Sequence, residues 1–304
     1  MTQSTTTAGL AGIATPNDTF AIIAMDQRNT LKRMYAAVGA PAPDDAELTN
    51  SKADVVQVLR GTASGFLLDP TFGTPALAQL PSEGAPYGVL VAAEPPERGT
   101  FNGEPRGHRD PALNADWVLA QGGNAVKFFV QMRVDRTVNP GEPDLITEVL
   151  QVVREVIADC RAAGVPSVIE NLIYPIPGEA PVDQSAKAEQ IIGAAALLND
   201  LGPDLLKLEY PGSPAACRRL ASTLTVPWAV LSAGVAFDEF TNVLRVSCDD
   251  GGASGFITGR AIWKDTVGMD RPGRQAYLAD EGKRRLEGCL QAIDGRARPY
   301  TEIS

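Results

Sequence analysis

The sequence predicts a (β/α)8 barrel, and three observations carry that expectation. Eight short apolar runs recur along the 304 residues, and amphipathic stretches of helical spacing lie between them. Most of the runs are continuously apolar rather than alternating, as parallel strands covered on both faces are. Eight such strands interleaved with helices over this length suit a closed barrel. The runs are FAIIAMD (20–26), GFLLD (65–69), YGVLVAAE (87–94), AVKFFVQ (125–131), SVIEN (167–171), LLKLE (205–209), WAVLSAG (228–234) and GFITGR (255–260).

The helical stretches follow in order. NSKADVVQVLRGT is expected to begin at a cap on Asn50 or Ser51. Residues 143–164 carry apolar side chains at helical intervals and stop at Gly164, and VDQSAKAEQIIGAAALLNDLG stops similarly at Gly202. AFDEFTNVLRVSCDDG follows the seventh run, and GRQAYLADEGKRRLEGCLQAI closes the chain. A doubly wound open sheet is the alternative, but no G-x-G-x-x-G or G-x-x-x-x-G-K-[ST] motif follows any run. With no linker or repeat to divide it, 1–304 reads as one barrel domain with a flexible N-terminal stretch at 1–18.

Composition narrows the functional classes. Hydrophobic residues make up 44% and charged residues 21%, enough for a sizeable core. Lysine and arginine number 27 against 37 acidic residues, a balance of −10 that argues against generic affinity for nucleic acid or acidic membranes. Local basic residues can still hold a small anion. The N-terminus lacks a basic, apolar signal and no 18-residue apolar run occurs, so a cytoplasmic location without a membrane span is expected. Cys160, Cys217, Cys248 and Cys289 are widely spaced, form no C-x-x-C pair and read as free, at least half-buried thiols. His108 is the sole histidine, which leaves few parts for a zinc site.

Polar residues gather at the ends of the runs, where barrel active sites lie. They are Asp26-Gln27-Arg28, Glu94, Lys127 with Gln131, Glu170-Asn171, Lys207 with Glu209, Ser232-Ala233-Gly234 and Gly259-Arg260. Residues two apart share a face of a strand. Lys127, Glu170 and Lys207 are therefore expected to point into the barrel mouth, because the outer face packs on helices. An ordinary strand lysine would instead reach for the rim or pair with Glu170 or Glu209. Arg28 reads either as a surface or capping residue or as a contact to substrate.

A lysine in a dry pocket beside a second cation has its ammonium form disfavoured and becomes a usable nucleophile toward a ketone. The protonated imine that follows withdraws electrons from the neighbouring carbon–carbon bond. Glu170 could carry protons during dehydration and at the hydroxyl beyond. A metal-dependent aldolase would need several histidines, so the residues point to a route without metal or cofactor. The Ser-x-Gly turn of Ser232 and Gly234, with Gly259-Arg260, matches the usual barrel phosphate site after strands seven and eight, and a sulfonate would fit nearly as well.

AMDQRNTLKRM, GFLLDPTFG, NAVKFFVQM, VIENLIY, DLLKLEYPG, VLSAGV and GFITGRAIWK occur in the order of the class I tagatose 1,6-bisphosphate aldolase family, which includes sulfofructose phosphate aldolases. The chain resembles that family from about residue 20 to 265. The resemblance implies a barrel enzyme that cleaves a phosphorylated ketose to dihydroxyacetone phosphate and an aldehyde, and a homo-oligomer. It implies Lys207 as the Schiff-base lysine, Glu170 as the proton carrier, Lys127 beside them, and Asp26 and Gln27 as residues ordering the sugar hydroxyls. Ser232, Gly234, Gly259 and Arg260 resemble the phosphate cradle. Asn29, the segment AAEPPERGTFNGEPRGHRD and ENLIYP depart from the family's usual residues where the far end of the sugar would be read. Arg98, Arg106, His108 and Arg109 form there either a grip for a distal anion or a solvated basic loop. Two other readings stay open at this point: a sugar-phosphate sensor with little turnover, and a phosphosugar isomerase using Glu170 as base.

Overall fold

The structure, a computed structural model, describes residues 7–81, 83–180 and 182–303. All eight expected strands form: β1 (Phe20–Met25), β2 (Gly65–Leu68), β3 (Gly88–Ala92), β4 (Ala125–Val130), β5 (Ser167–Asn171), β6 (Leu205–Leu208), β7 (Trp228–Val230) and β8 (Gly255–Thr258). Each pairs in parallel with the next, and β8 returns to β1 to close the barrel. The strands stop short of the polar residues that end several of the runs, so Asp26, Gln27, Arg28, Glu94 and Ser232 sit in the loops at the C-terminal rim and Arg260 opens the short helix Arg260–Trp263.

Strand parity sorts the core into two clusters. Ile22, Ala24, Leu67, Leu90, Ala92, Ala125, Val168, Leu205, Ala229 and Ile257 fill the interior as one apolar group. Their alternates, among them Ile23, Phe66, Phe128, Ile169, Leu206 and Phe256, pack outward against the helices. Burying a large aliphatic side chain contributes about 1.5–3 kcal/mol, so the lower barrel stabilises the scaffold that carries charge above it. Gly255 lets β8 approach β1: a Cβ there would stand 2.1 Å from the Phe20 carbonyl oxygen.

Of the stretch 1–18 expected to be flexible, residues 1–6 lie outside the described residues. From Gly9 onward the chain packs on the barrel. Leu10 and Ile13 are buried with Phe20 and Ile22 at the N-terminal end, where Tyr300 stacks on Phe20 at 5.5 Å. Apolar residues at 10 and 13 have a place to go, because the strand ends leave the interior uncovered there.

The helices also follow the sequence, with two corrections. The helix expected to be capped by Asn50 or Ser51 runs from Asp45 to Leu59 and is capped by Asp44, whose side chain accepts from the Glu47 amide at 2.7 Å. Asp44 is extended, and Asp45 and Glu47 favour the positive end of the helix. Ser51 lies inside and donates to the Leu48 carbonyl. Helix Leu145–Ala163 ends at Gly164 in the left-handed conformation as expected, and helix Gln184–Asn199 stops three residues before Gly202.

Helices Asn29–Ala37, Ala115–Ala120 and Pro214–Thr223 were not among the expected stretches, and neither was a small hairpin. Thr100–Phe101 pairs antiparallel with Glu104–Pro105 in the loop after β3. Asn102 and Gly103, both with positive φ, make the turn. Strands of two residues are too short to show a periodicity. All four cysteines are buried and unpaired. Among the described residues no helix is long and apolar enough to cross a membrane.

Candidate active site

Three strand positions on the interior face continue the apolar stack into charge. Above Ala125, Val168 and Leu205 come Lys127, Glu170 and Lys207, two residues further along β4, β5 and β6. Glu170 and Lys207 are register partners across β5 and β6. Glu170 Oε1 lies 2.8 Å from Lys207 Nζ, and its Oε2 lies 2.8 Å from Lys127 Nζ. Lys127 also donates to Asp26 Oδ2 and Glu94 Oε1, each at 2.8 Å. One lysine therefore has three carboxylates and the other has one, and all of these side chains are largely buried.

The electrostatics follow from that unequal sharing. Burial works against a charged Lys127, but Asp26, Glu170 and Glu94 outweigh it and hold the ammonium well above the ordinary lysine range. Burial would likewise raise Glu170, yet Lys127 and then Lys207 pull it below the usual carboxylate range. Asp26 is depressed in the same way, against burial, by Lys127 and Lys207. At neutral pH Lys127 is a fixed cation and Glu170 a carboxylate able to accept a proton. Lys127, the second cation beside Lys207, is itself surrounded by three carboxylates. Glu209, the other partner weighed for Lys207, instead binds Lys187 at 2.5 Å and accepts from the Ile173 amide.

The loop after β1 is fixed from below. Lys52, buried in helix Asp45–Leu59, lies 2.6 Å from Asp69 Oδ2, donates to the Gln27 carbonyl at 2.9 Å and reaches the Met25 carbonyl. Burial lowers the pKa of Lys52, with Asp69 opposing. Asp69 in turn accepts from the Thr71 and Phe72 amides at 2.9 Å. Gln27 Oε1 is buried and makes no hydrogen bond among the described residues. Arg28 donates weakly to the Glu94 carbonyl at 3.4 Å and has no carboxylate partner among the described residues.

The turns after β7 and β8 meet as expected. Ala233 and Gly234 both take positive φ, a strained setting for alanine, and the Val235 amide closes the turn on the Ser232 carbonyl. Gly234 lies against the Arg260 guanidinium; a Cβ there would be 3.1 Å from Arg260 Cζ. Gly259 is equally confined, since its Cβ would fall 2.3 Å from the Ala24 carbonyl oxygen. Trp263 Nε1 donates to that same carbonyl at 3.0 Å and ties β8 to β1. Ser232, Gly234, Gly259 and Arg260 thus form one patch, in which Arg260 has no ion pair among the described residues.

Glu94 is the residue that sequence reasoning noted but left out of the site. It follows the interior positions Leu90 and Ala92 at spacing two, a signal the parity argument already contained. The basic segment 98–109, by contrast, is divided. Arg106 pairs with Glu148, and Arg109 with Asp159 and Glu155, all on helix Leu145–Ala163. Arg98 alone of the three arginines turns back to the mouth, donating to the Phe129 carbonyl at 3.1 Å.

Comparison with known proteins gives the same picture from outside. A model described as DeoC/LacD family aldolase matches residues 20–265. Tagatose 1,6-diphosphate aldolase 2 of Streptococcus pyogenes serotype M1 is 27% identical, with 92% of each chain covered. Tagatose 1,6-diphosphate aldolase of Lactococcus lactis subsp. lactis is 27% identical, with 96% of each covered. Among solved structures, an archaeal fructose 1,6-bisphosphate aldolase superposes with a TM-score of 0.62 at 14% identity, covering 95% of this chain and 99% of that one. Fructose-bisphosphate aldolase from Slackia heliotrinireducens gives 0.62 at 16% identity, with coverages of 95% and 90%. At those identities the structural likeness speaks for the fold.

Proposed function

The chain belongs to the DeoC/LacD aldolase family, and on that premise we propose that it cleaves a ketose 1-phosphate or 1,6-bisphosphate by a Schiff-base route needing no metal. The sugar is of the tagatose bisphosphate or 6-deoxy-6-sulfofructose 1-phosphate type, and the products are dihydroxyacetone phosphate and an aldehyde. The observation that carries this reading is the carboxylate of Glu170, shared at 2.8 Å between Lys207 and Lys127.

Glu170 takes a proton from Lys207, whose free amine attacks the C2 carbonyl. A proton passes from the nitrogen to the new alkoxide to give the carbinolamine, and Glu170 then protonates its hydroxyl, which leaves as water and gives the iminium. The C4 hydroxyl then passes its proton to Glu170 while the C3–C4 bond breaks, with the bonding electrons drawn into the enamine. Protonation of the enamine at C3 and hydrolysis free dihydroxyacetone phosphate and restore the lysine. Lys127 stays charged throughout and fixes Glu170 and Asp26, while Asp26 and Gln27 order the sugar hydroxyls. Ser232, the Gly234 and Gly259 backbone and Arg260 hold the 1-phosphate.

A cytoplasmic, homo-oligomeric enzyme goes with this reading, and four buried free thiols support a reducing compartment. Incubation with dihydroxyacetone phosphate and borohydride is expected to add the reduced adduct at Lys207, seen by peptide mass spectrometry. Lys207→Ala should lose both the adduct and cleavage, the latter by on the order of 10⁴-fold. Turnover without any trappable adduct would favour an isomerase using Glu170, and binding without turnover a sensor.

A further inference from the structure

We infer that Lys52, on helix Asp45–Leu59 and outside the ring of mouth residues, is a positioning residue for cleavage: it sets Asp26 and Gln27 by gripping the two carbonyls that bracket them. The inference rests on the Schiff-base reading above, in which those two side chains order the sugar hydroxyls. Lys52 itself is fully buried beneath the loop after β1 and acts only through that loop.

Its place in the sequence is that of an apolar residue. Leu48, Lys52, Val56 and Leu59 follow one another at helical spacing, and all four are fully buried. A leucine there would bury at no electrostatic cost, whereas an ammonium must be desolvated. A buried ion pair kept for stability alone is often matched or bettered by apolar residues of similar volume. The three N–H groups of Lys52 show what the charge is used for. One is directed at Asp69 Oδ2, 2.6 Å away, one at the Gln27 carbonyl at 2.9 Å, and one at the Met25 carbonyl. No donor is left over.

The Met25 carbonyl precedes Asp26 and the Gln27 carbonyl follows Gln27. A single ammonium therefore fixes the backbone at both ends of this dipeptide, just past the last residue of β1. The side chains so oriented are the ones with chemistry to offer. Asp26 Oδ2 meets Lys127 Nζ at 2.8 Å. Gln27 Oε1 is buried without a hydrogen-bond partner among the described residues, an acceptor open to a sugar hydroxyl. Asp69 anchors the ammonium from the side of β2. It follows Leu68, the register partner of Met25, and its Oδ1 accepts from the Thr71 and Phe72 amides at 2.9 Å. Its own carbonyl accepts from the Gly73 and Thr74 amides at 3.0 and 2.9 Å. The charge counts as well as the grip. Against burial, Lys127 and Lys207 hold Asp26 below the usual carboxylate range, and Lys52 adds to them.

The test compares two steps in Lys52→Met, which keeps an unbranched stem and removes the ammonium. Its kcat/KM for cleavage of a ketose 1,6-bisphosphate is expected to fall about 10- to 100-fold, the effect of shifting an ordering group by about 1 Å. Borohydride trapping of dihydroxyacetone phosphate on Lys207, in the same folded sample, should stay within about twofold, because that compound lacks the sugar hydroxyls beyond the broken bond. A fall in trapping as large as the fall in cleavage, or no fall in either, overturns the inference. Arg274→Met deprives Asp54, on the same helix, of a buried partner and should leave both steps within about twofold. A loss of cleavage there equal to that of Lys52→Met would assign the effect to helix packing and overturn the inference too. If Lys52→Met does not fold, Lys52→Met with Asp69→Asn leaves no charge unpaired and still lacks the grip on the two carbonyls. The same split is expected of it, and equal losses overturn the inference. A wild type that gives neither adduct nor cleavage would defeat the Schiff-base reading itself. A wild type that gives both, beside a Lys52→Met that gives both equally well, defeats only the role of Lys52.

Discussion

Two of the clusters of buried charge in this barrel differ in kind, one at the mouth and one between helices Asp45–Leu59 and Arg271–Tyr277. In the helix cluster, fully buried Asp54 accepts from Arg274 Nε at 2.9 Å, Arg271 Nε at 3.0 Å and Gln275 Nε2 at 2.8 Å. Arg274 Nη1 continues to Glu47 at 2.6 Å, and Glu47 accepts from the Tyr35 hydroxyl at 2.9 Å. That network closes on itself, with only Arg274 Nη2 lacking a partner among the described residues. At the mouth, Lys127 is saturated by three carboxylates, but Lys207 has one partner, Gln27 Oε1 has none, and Arg28 and Arg260 pair with no carboxylate among the described residues. Buried charge alone therefore does not mark a site. Unused hydrogen-bonding capacity converging on a buried lysine distinguishes the mouth.

The contrast breaks first at Glu170. Glu170→Gln keeps the shape but removes the proton acceptor, so kcat should fall by about 10²- to 10⁴-fold, and borohydride trapping should slow in parallel. Retention of more than a tenth of the wild-type rate would show that the proton leaves by another path.

Lys127→Met tests whether the mouth depends on that one cation. In the wild type, Asp26 and Glu170 titrate below their ordinary values. Their contribution to stability is complete above the ordinary carboxylate range and is lost as pH falls through the depressed values. Without Lys127 only Lys207, and for Asp26 also Lys52, is left to oppose burial, so burial is expected to win and lift the carboxylates above their unfolded values, which reverses the sign. The variant should lose on the order of 3–5 kcal/mol at pH 7 and regain part of it toward about pH 5. Thermal melts at the two pH values check this; a variant that loses stability on acidification as the wild type does would contradict it.

Arg274→Met should have the smallest effect on turnover. Breaking the helix cluster costs on the order of 3 kcal/mol, read by denaturant melts, while kcat/KM of the folded enzyme stays within about twofold. A loss of activity as large as that of Glu170→Gln would mean that the two clusters are coupled.

Much of this was legible in the chain. Continuous apolar runs need cover on both faces, so β1 to β8 and their closure follow from pattern alone, and strand parity then points Lys127, Glu170 and Lys207 inward. Local rules also place Gly164 at a helix end. They failed at the cap of helix Asp45–Leu59, where Asp44 competes successfully with Asn50 and Ser51 because the helix begins a turn and a half earlier than its apolar face shows.

What the sequence by itself determined is which residues line the barrel and which reach its mouth, because alternation in a strand is a property of the backbone. Only the tertiary structure decided how charge is shared among them. Glu94 and Asp26 reach Lys127 from loops that are distant in sequence, Arg274 is buried against Asp54, and of the arginines at 98, 106 and 109 only Arg98 turns back to β4. Long charged side chains choose partners by distances across the fold, and no local periodicity records those distances.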